Sequence, residues 1–205
     1  WYGSIVRTPD DKFVMMGGRG KETRGYSIVP EILQKDNSGT YNWRILNDAK
    51  SLDMFADLDS KEWNYPKAYL ASDGNIFGIS YNKMWVMNTN ENFRLEKVGE
   101  IPLVSGSIKK TLEHDNPNDE KEVVQKLRLL TIGSGVGSTA SSVMIDKDKI
   151  LLIGGHQKGV GFSPSNHVNL IDVSDTKRPL VSKMMSMNYA RSNANAVVLP
   201  TGEVF

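Results

Sequence analysis

The sequence predicts an all-β fold made of repeated four-stranded units, and three observations predict it. One pattern recurs four times along 205 residues. Its apolar runs are short and close on turn residues. A weaker pair of strands follows each of the first three copies.

The copies are residues 2–18 (YGSIVRTPDDKFVMMGG), 65–80 (YPKAYLASDGNIFGIS), 137–155 (GSTASSVMIDKDKILLIGG) and 190–205 (ARSNANAVVLPTGEVF). Each begins with small or polar residues, enters an apolar strand, reverses and returns along a second one. The reversals are Pro9-Asp10-Asp11, Asp73-Gly74, Asp146-Lys147-Asp148 and Pro200-Thr201-Gly202. These residue types preset φ, tolerate positive φ or bond their own backbone, so each copy reads as a β-hairpin. Phe13-Val14-Met15-Met16 and Ile150-Leu151-Leu152-Ile153 are unbroken rather than alternating. Such runs suit strands covered on both faces, and runs this short, closed by Gly-Gly, do not suit helices.

The weaker pairs are 26–33 with 41–46, 84–89 with 93–98, and 167–173 with 180–184. Four antiparallel strands per unit are a propeller blade. The expected organisation is a partial propeller domain over 1–205, with blades at about 1–64, 65–136 and 137–189 and an incomplete one at 190–205. Equivalent turn residues lie about 54 to 74 positions apart, a spread that rim loops absorb. The charged stretch 105–130 reads as a solvated insertion with a short helix at 120–128. Three blades and a hairpin do not close a ring, and both ends of the sequence fall within expected strands. A piece of a longer protein is therefore expected, with the remaining blades supplied by the same chain or by a partner.

Composition narrows the function classes. Lys and Arg number 25 against 24 Asp and Glu, a net charge of +1 that gives no global attraction to nucleic acid. No run reaches the roughly 18 apolar residues of a spanning helix, so no membrane span is expected, and residues 1–4 lack the features of a signal peptide. With no cysteine and only His114, His156 and His167 as imidazoles, an autonomous multi-histidine metal centre is not expected. The glycines at 133–137 precede strands where a nucleotide site needs a helix.

The doublets Gly17-Gly18 and Gly154-Gly155 resemble those of kelch repeats. Trp1-Tyr2-Gly3-Ser4 with Asp10-Asp11 and Met15-Met16-Gly17-Gly18 is similar to a blade of the galactose oxidase and glyoxal oxidase family. Tyr65-Pro66-Lys67 with Asp73-Gly74, and Ala190-Arg191-Ser192-Asn193 with the Pro200-Thr201-Gly202 turn, resemble later blades of that family in the same order. The resemblance implies a kelch-like, seven-bladed propeller in a secreted copper-radical oxidase that takes alcohols or aldehydes with O2 and forms H2O2. It implies that Tyr2 is both copper ligand and radical residue, cross-linked to a cysteine. That cysteine would lie before Trp1, and the axial tyrosine and two histidines after Phe205, so these residues alone are expected to bind no copper and to be inactive. Arg19-Gly20-Lys21 stands where galactose oxidase has a tryptophan stacked on its tyrosine, which argues against galactose as substrate.

Hairpin geometry adds a placement independent of the family. The start of a hairpin's first strand and the end of its second share one end. Tyr2, Arg19, Lys67, His156, Gln157, Ser192 and Asn193 are therefore expected on one rim. If Tyr2 marks the copper mouth, as the resemblance implies, the last six are candidates for binding a small alcohol, aldehyde or carbohydrate. The competing expectation is a non-catalytic kelch propeller that binds protein or carbohydrate, since one fold serves unrelated functions.

Overall fold

A computed structural model of the chain describes residues 3–19, 25–55, 66–101, 139–155 and 164–205. Among them are three four-stranded antiparallel sheets and very little helix. The first sheet holds β1 (Ser4–Arg7), β2 (Phe13–Met16), β3 (Glu31–Lys35) and β4 (Tyr41–Ile45). The second holds β5 (Lys67–Leu70), β6 (Ile76–Ser80), β7 (Lys83–Asn88) and β8 (Arg94–Glu100). The third holds β9 (Ser141–Asp146), β10 (Lys149–Ile153), β11 (Val168–Asp172) and β12 (Leu180–Lys183). In every sheet the strands lie side by side in chain order, the up-and-down meander of a propeller blade.

The repeated turns share one backbone solution. Asp11 (φ 60°), Gly74 (φ 83°), Asp148 (φ 58°) and Gly202 (φ 85°) each occupy the left-handed region at the reversal of their hairpin. Glycine and aspartate are among the residues that enter this region at least cost, which explains their recurrence there. Residues 190–205 do form a hairpin: Val197 and Phe205 exchange both backbone bonds at 2.9 Å, and Leu199 N–H donates to Glu203 at 2.8 Å. It joins none of the three sheets.

Two departures from the sequence reading have local causes. The strand expected at 26–33 begins at Glu31, immediately after Pro30, which lacks the N–H that a ladder needs. Its Tyr26 end forms only an isolated bridge to Arg19. A short 3-10 turn (Asn47–Ala49) and a four-residue helix, α1 (Leu52–Phe55), follow β4 and were not expected. They carry Ala49, Met54 and Phe55 into the space between the first and second sheets. The expected insertion 105–130 lies outside the described residues.

The sheets stack through two apolar layers. Val6, Val14, Met16 and Ile32 of the first sheet meet Ile76, Trp85 and Met87 of the second, with Phe55 edge-on to Trp85 at 5.6 Å between ring centres. Phe77, Ile79, Met84 and Val86 meet Ile150, Leu152 and Ile171 of the third. The second sheet thus sends alternate residues of β6 and β7 into opposite layers.

Candidate functional site at the strand-start rim

The register defines two ends of the stack. Ser4 faces Met16, Lys67 faces Ile79 and Ser141 faces Ile153 across the first pair of strands in their sheets. These starting residues share one rim, because the Ser4 hydroxyl donates to the carbonyl of Pro66, the residue just before β5. The third sheet repeats the device: the Ser141 hydroxyl donates to the carbonyl of Ala194 in the terminal hairpin segment. At the opposite end the turns meet, with Ser72 bonded to the Asp148 carboxylate and Thr176 Oγ1 donating to Asp73 at 2.6 Å.

The glycine doublets belong to this rim. Gly17 (φ 65°) and Gly154 (φ 65°) directly follow the last residues of β2 and β10. A Cβ on Gly17 would lie 2.7 Å from Pro66 Cγ, and one on Gly154 would lie 2.5 Å from the Arg191 carbonyl oxygen. Each doublet therefore turns the chain in a left-handed conformation and leaves room for the next unit to press against it. The Gly-Gly signature is a contact between neighbouring units, beyond being a turn.

Of the residues expected on the rim, Tyr2, His156 and Gln157 lie outside the described residues. The structure places Arg19, Lys67, Ser192 and Asn193 at this end, distributed along three successive units. Arg19 is exposed, two residues past Gly17, and pairs with Tyr26. Lys67 opens β5 and shares its pleat face with Tyr69, which packs in the layer toward the third sheet and donates to Ser142 Oγ at 2.6 Å. Burial pushes the Lys67 amine down to about 8, and it pushes the Tyr69 phenol up despite the bond to Ser142. Ser192 is half-buried, whereas Asn193 is exposed in the left-handed region, its N–H donating to Thr139 O at 2.9 Å.

An open cleft of about 580 Å³ lies beside the last two, between the third sheet and the terminal hairpin. Leu151, Ile153, Val168 and Phe205 give it apolar walls, and Arg191 is its one charged lining residue. Sequence reasoning passed over Arg191 in favour of its neighbours Ser192 and Asn193. The signal available was the close approach of its backbone to a Gly-Gly doublet distant in sequence, which only the fold reveals.

The donor set bears on metal chemistry. The chain has no cysteine, and among the described residues no group of three or more His, Asp or Glu could hold a metal ion. His167 precedes β11, with a half-buried ring and Nδ1 facing no hydrogen-bond partner among the described residues. These donors do not by themselves compose a copper centre. No helix among the described residues is long and apolar enough to cross a membrane.

Against this geometry, no family model matches the chain. A curated relative does: aldehyde oxidase GLOX1 of Arabidopsis thaliana is 24% identical over 213 aligned residues covering all of this chain. The relationship is galactose/glyoxal oxidase-like. The chain spans about 30% of that relative's length. A solved protein from Lactobacillus plantarum aligns with 97% of this chain and 45% of its own at a TM-score of 0.50 and 11% identity, a likeness of fold. A fungal alcohol oxidase of the AA5 family, solved in complex with copper, aligns with 99% of this chain and 57% of its own at 14% identity and a TM-score of 0.37.

Proposed function

We propose that these residues are consecutive blades of an extracellular copper-radical oxidase that oxidises an alcohol or aldehyde with O2 and releases H2O2. The observation that carries this reading is the 24% identity to an aldehyde oxidase along the entire chain. Three meander sheets support it, as do matching glycine and serine contacts at the rim that join the first sheet to the second and the third to the terminal hairpin. In this reading further blades complete a seven-bladed kelch ring, and Tyr2 ligates copper as the tyrosine of a Tyr-Cys cross-link.

The cysteine and the other ligands are then supplied from outside residues 1–205. Copper, when bound, supplies one electron-accepting centre and its ligand radical the second, as a two-electron oxidation requires. The part assigned to this chain's own residues is positioning. Arg19, Lys67, Ser192 and Asn193 present hydrogen-bonding groups on the strand-start rim to a small hydroxyl or hydrated carbonyl, and His156 and Gln157 are assigned the same role from the sequence. Lys67, ionising at about 8, is a donor cation at neutral pH and becomes a neutral amine in mild alkali.

The test is expression of the full-length protein with copper, followed by measurement of aldehyde-dependent O2 uptake and H2O2 release and by peptide mapping of Tyr2. Turnover together with a Tyr2 peptide joined to a cysteine peptide is expected. A free Tyr2 and no O2 uptake across simple alcohols and aldehydes would reject the oxidase in favour of a kelch binding module.

A further inference from the structure

The space between the third sheet and the terminal hairpin is filled differently from the two layers before it. Phe55 and Trp85 are fully buried in the first layer and Phe77 in the second. Beyond the third sheet the lining aromatic is Phe205, and it is 86% exposed. The hairpin places small residues, Ala194 and Ala196, along the gap. Opposite them Leu151, Ile153 and Val168 share the sheet face that looks away from the second sheet, since Ile150 and Leu152 occupy the other. The cleft left between is about 580 Å³, a size and an apolar lining usual for sites that take small molecules.

One cation stands in this apolar setting. Arg191 lines the cleft and is exposed, and among the described residues no carboxylate pairs with it. Its backbone is held by a closed cycle: Arg191 N–H donates to Ser165 O at 2.8 Å, Ser165 N–H to Gly155 O at 2.8 Å, and Gly155 N–H to Arg191 O at 2.9 Å. The guanidinium thus springs from a fixed point and has no acceptor among the described residues. Asn195, also in the lining, keeps its side-chain amide in the same condition, whereas the Ser141 hydroxyl is taken up by the Ala194 carbonyl. A guanidinium presents a planar fork that binds a carboxylate bidentately. Its single charge balances one carboxylate, while a phosphate group carries close to two charges at neutral pH and calls for more cations.

We propose that this cleft binds a small monocarboxylate with an apolar body, the carboxylate on Arg191 with Asn195 as a further donor, and the body against Ile153, Val168 and Phe205. The site goes beyond the oxidase reading and is independent of it, since it needs neither Tyr2 nor copper. Carboxylate binding and O2 uptake therefore succeed or fail separately.

The experiment is calorimetric titration of the full-length protein with octanoate, with 1-octanol and octylamine as neutral and cationic probes of the same length. Saturable binding of one equivalent of octanoate is expected, with both other probes weaker by about tenfold or more. Arg191→Gln is expected to weaken octanoate binding by about tenfold or more with Tm unchanged, because the exposed side chain takes no part in the backbone cycle. Ala196→Leu adds bulk inside the cleft while leaving Arg191 in place, and is expected to weaken binding as well. Arg178→Gln, at an exposed arginine between β11 and β12, should leave binding as it was. Absence of saturable binding, as when further chain fills the cleft, would overturn the site. So would equal affinity for octanol or octylamine, wild-type affinity in Arg191→Gln or Ala196→Leu, or equal loss in Arg178→Gln.

Discussion

The second sheet and the first are built from similar strands, yet they meet their surroundings differently. In the second, Ile76 to Ile79 and Met84 to Met87 are buried on both faces of the pleat, because a sheet lies on either side. In the first, Val6, Val14 and Ile32 are buried, while Ile5, Met15, Trp43 and Ile45 on the other face are exposed, Trp43 by 50%. The run Phe13-Val14-Met15-Met16 led to an expectation of two covered faces, and only one is covered by the described residues. An apolar run reports what a strand is able to bury; whether it does so depends on the presence of a neighbour.

The largest effect that would sharpen this contrast is expected at Trp85. Its ring is fully buried, stands edge-on to Phe55 and donates to Ser80 Oγ at 2.9 Å. Trp85→Ala should cost about 3–5 kcal/mol in urea unfolding, the usual range for emptying a large aromatic site. Gly78→Ala attacks the same contact from the opposite side. Its new Cβ would fall 2.0 Å from the indole, a rigid ring held in place, so a loss of about 1–3 kcal/mol from overpacking is expected.

At the rim, Gly17→Ala should cost on the order of 1–3 kcal/mol, from left-handed strain together with the collision with Pro66. Gly39→Ala is the control: it has a similarly positive φ with nothing within 4 Å of the new Cβ, so it should cost less.

Lys67 should produce a smaller, pH-dependent effect. Its amine ionises near 10.5 when unfolded and at about 8 when folded, so between these values the unfolded chain holds more protons. Stability should therefore rise as pH increases from 8 to 10.5, by roughly 1 kcal/mol once solvent screening is allowed for. Lys67→Met should flatten that rise in unfolding measured at pH 7 and pH 10. The smallest effect is expected on the open face, where Trp43→Thr should change stability by about 0.5 kcal/mol or less. A Trp43 cost approaching that of Trp85 in this chain would erase the distinction between the two sheets.

The parts of this molecule legible in sequence are those governed by local chemistry. Asp11, Gly74, Asp148 and Gly202 marked their turns because the left-handed region selects few residues, and the glycine doublets marked the strand ends for the same reason. The helix that inserts Met54 and Phe55 was not legible, because four residues carry no periodicity to detect. Nor was the cleft beside Arg191, which exists only where a hairpin lies against a sheet. Arg19, Lys67, Ser192 and Asn193 could be placed at one end from strand direction alone. Whether they serve a common substrate depends on partners distant in sequence, which strand direction does not specify.

The pairing of Gly78 with Trp85 has a consequence for how the chain finds its alignment. In a sheet with one wet face, a strand that slips by one residue is corrected by solvent, since its apolar set would emerge into water. In the second sheet both faces are apolar, so a slip of β7 would merely exchange Met84 and Val86 with Trp85 and Met87 between two equally dry layers. Polarity cannot proofread that error, but shape does: the indole fits only opposite the one position in β6 that lacks a side chain. A glycine in the middle of the most buried strand thus acts as a keyhole for register.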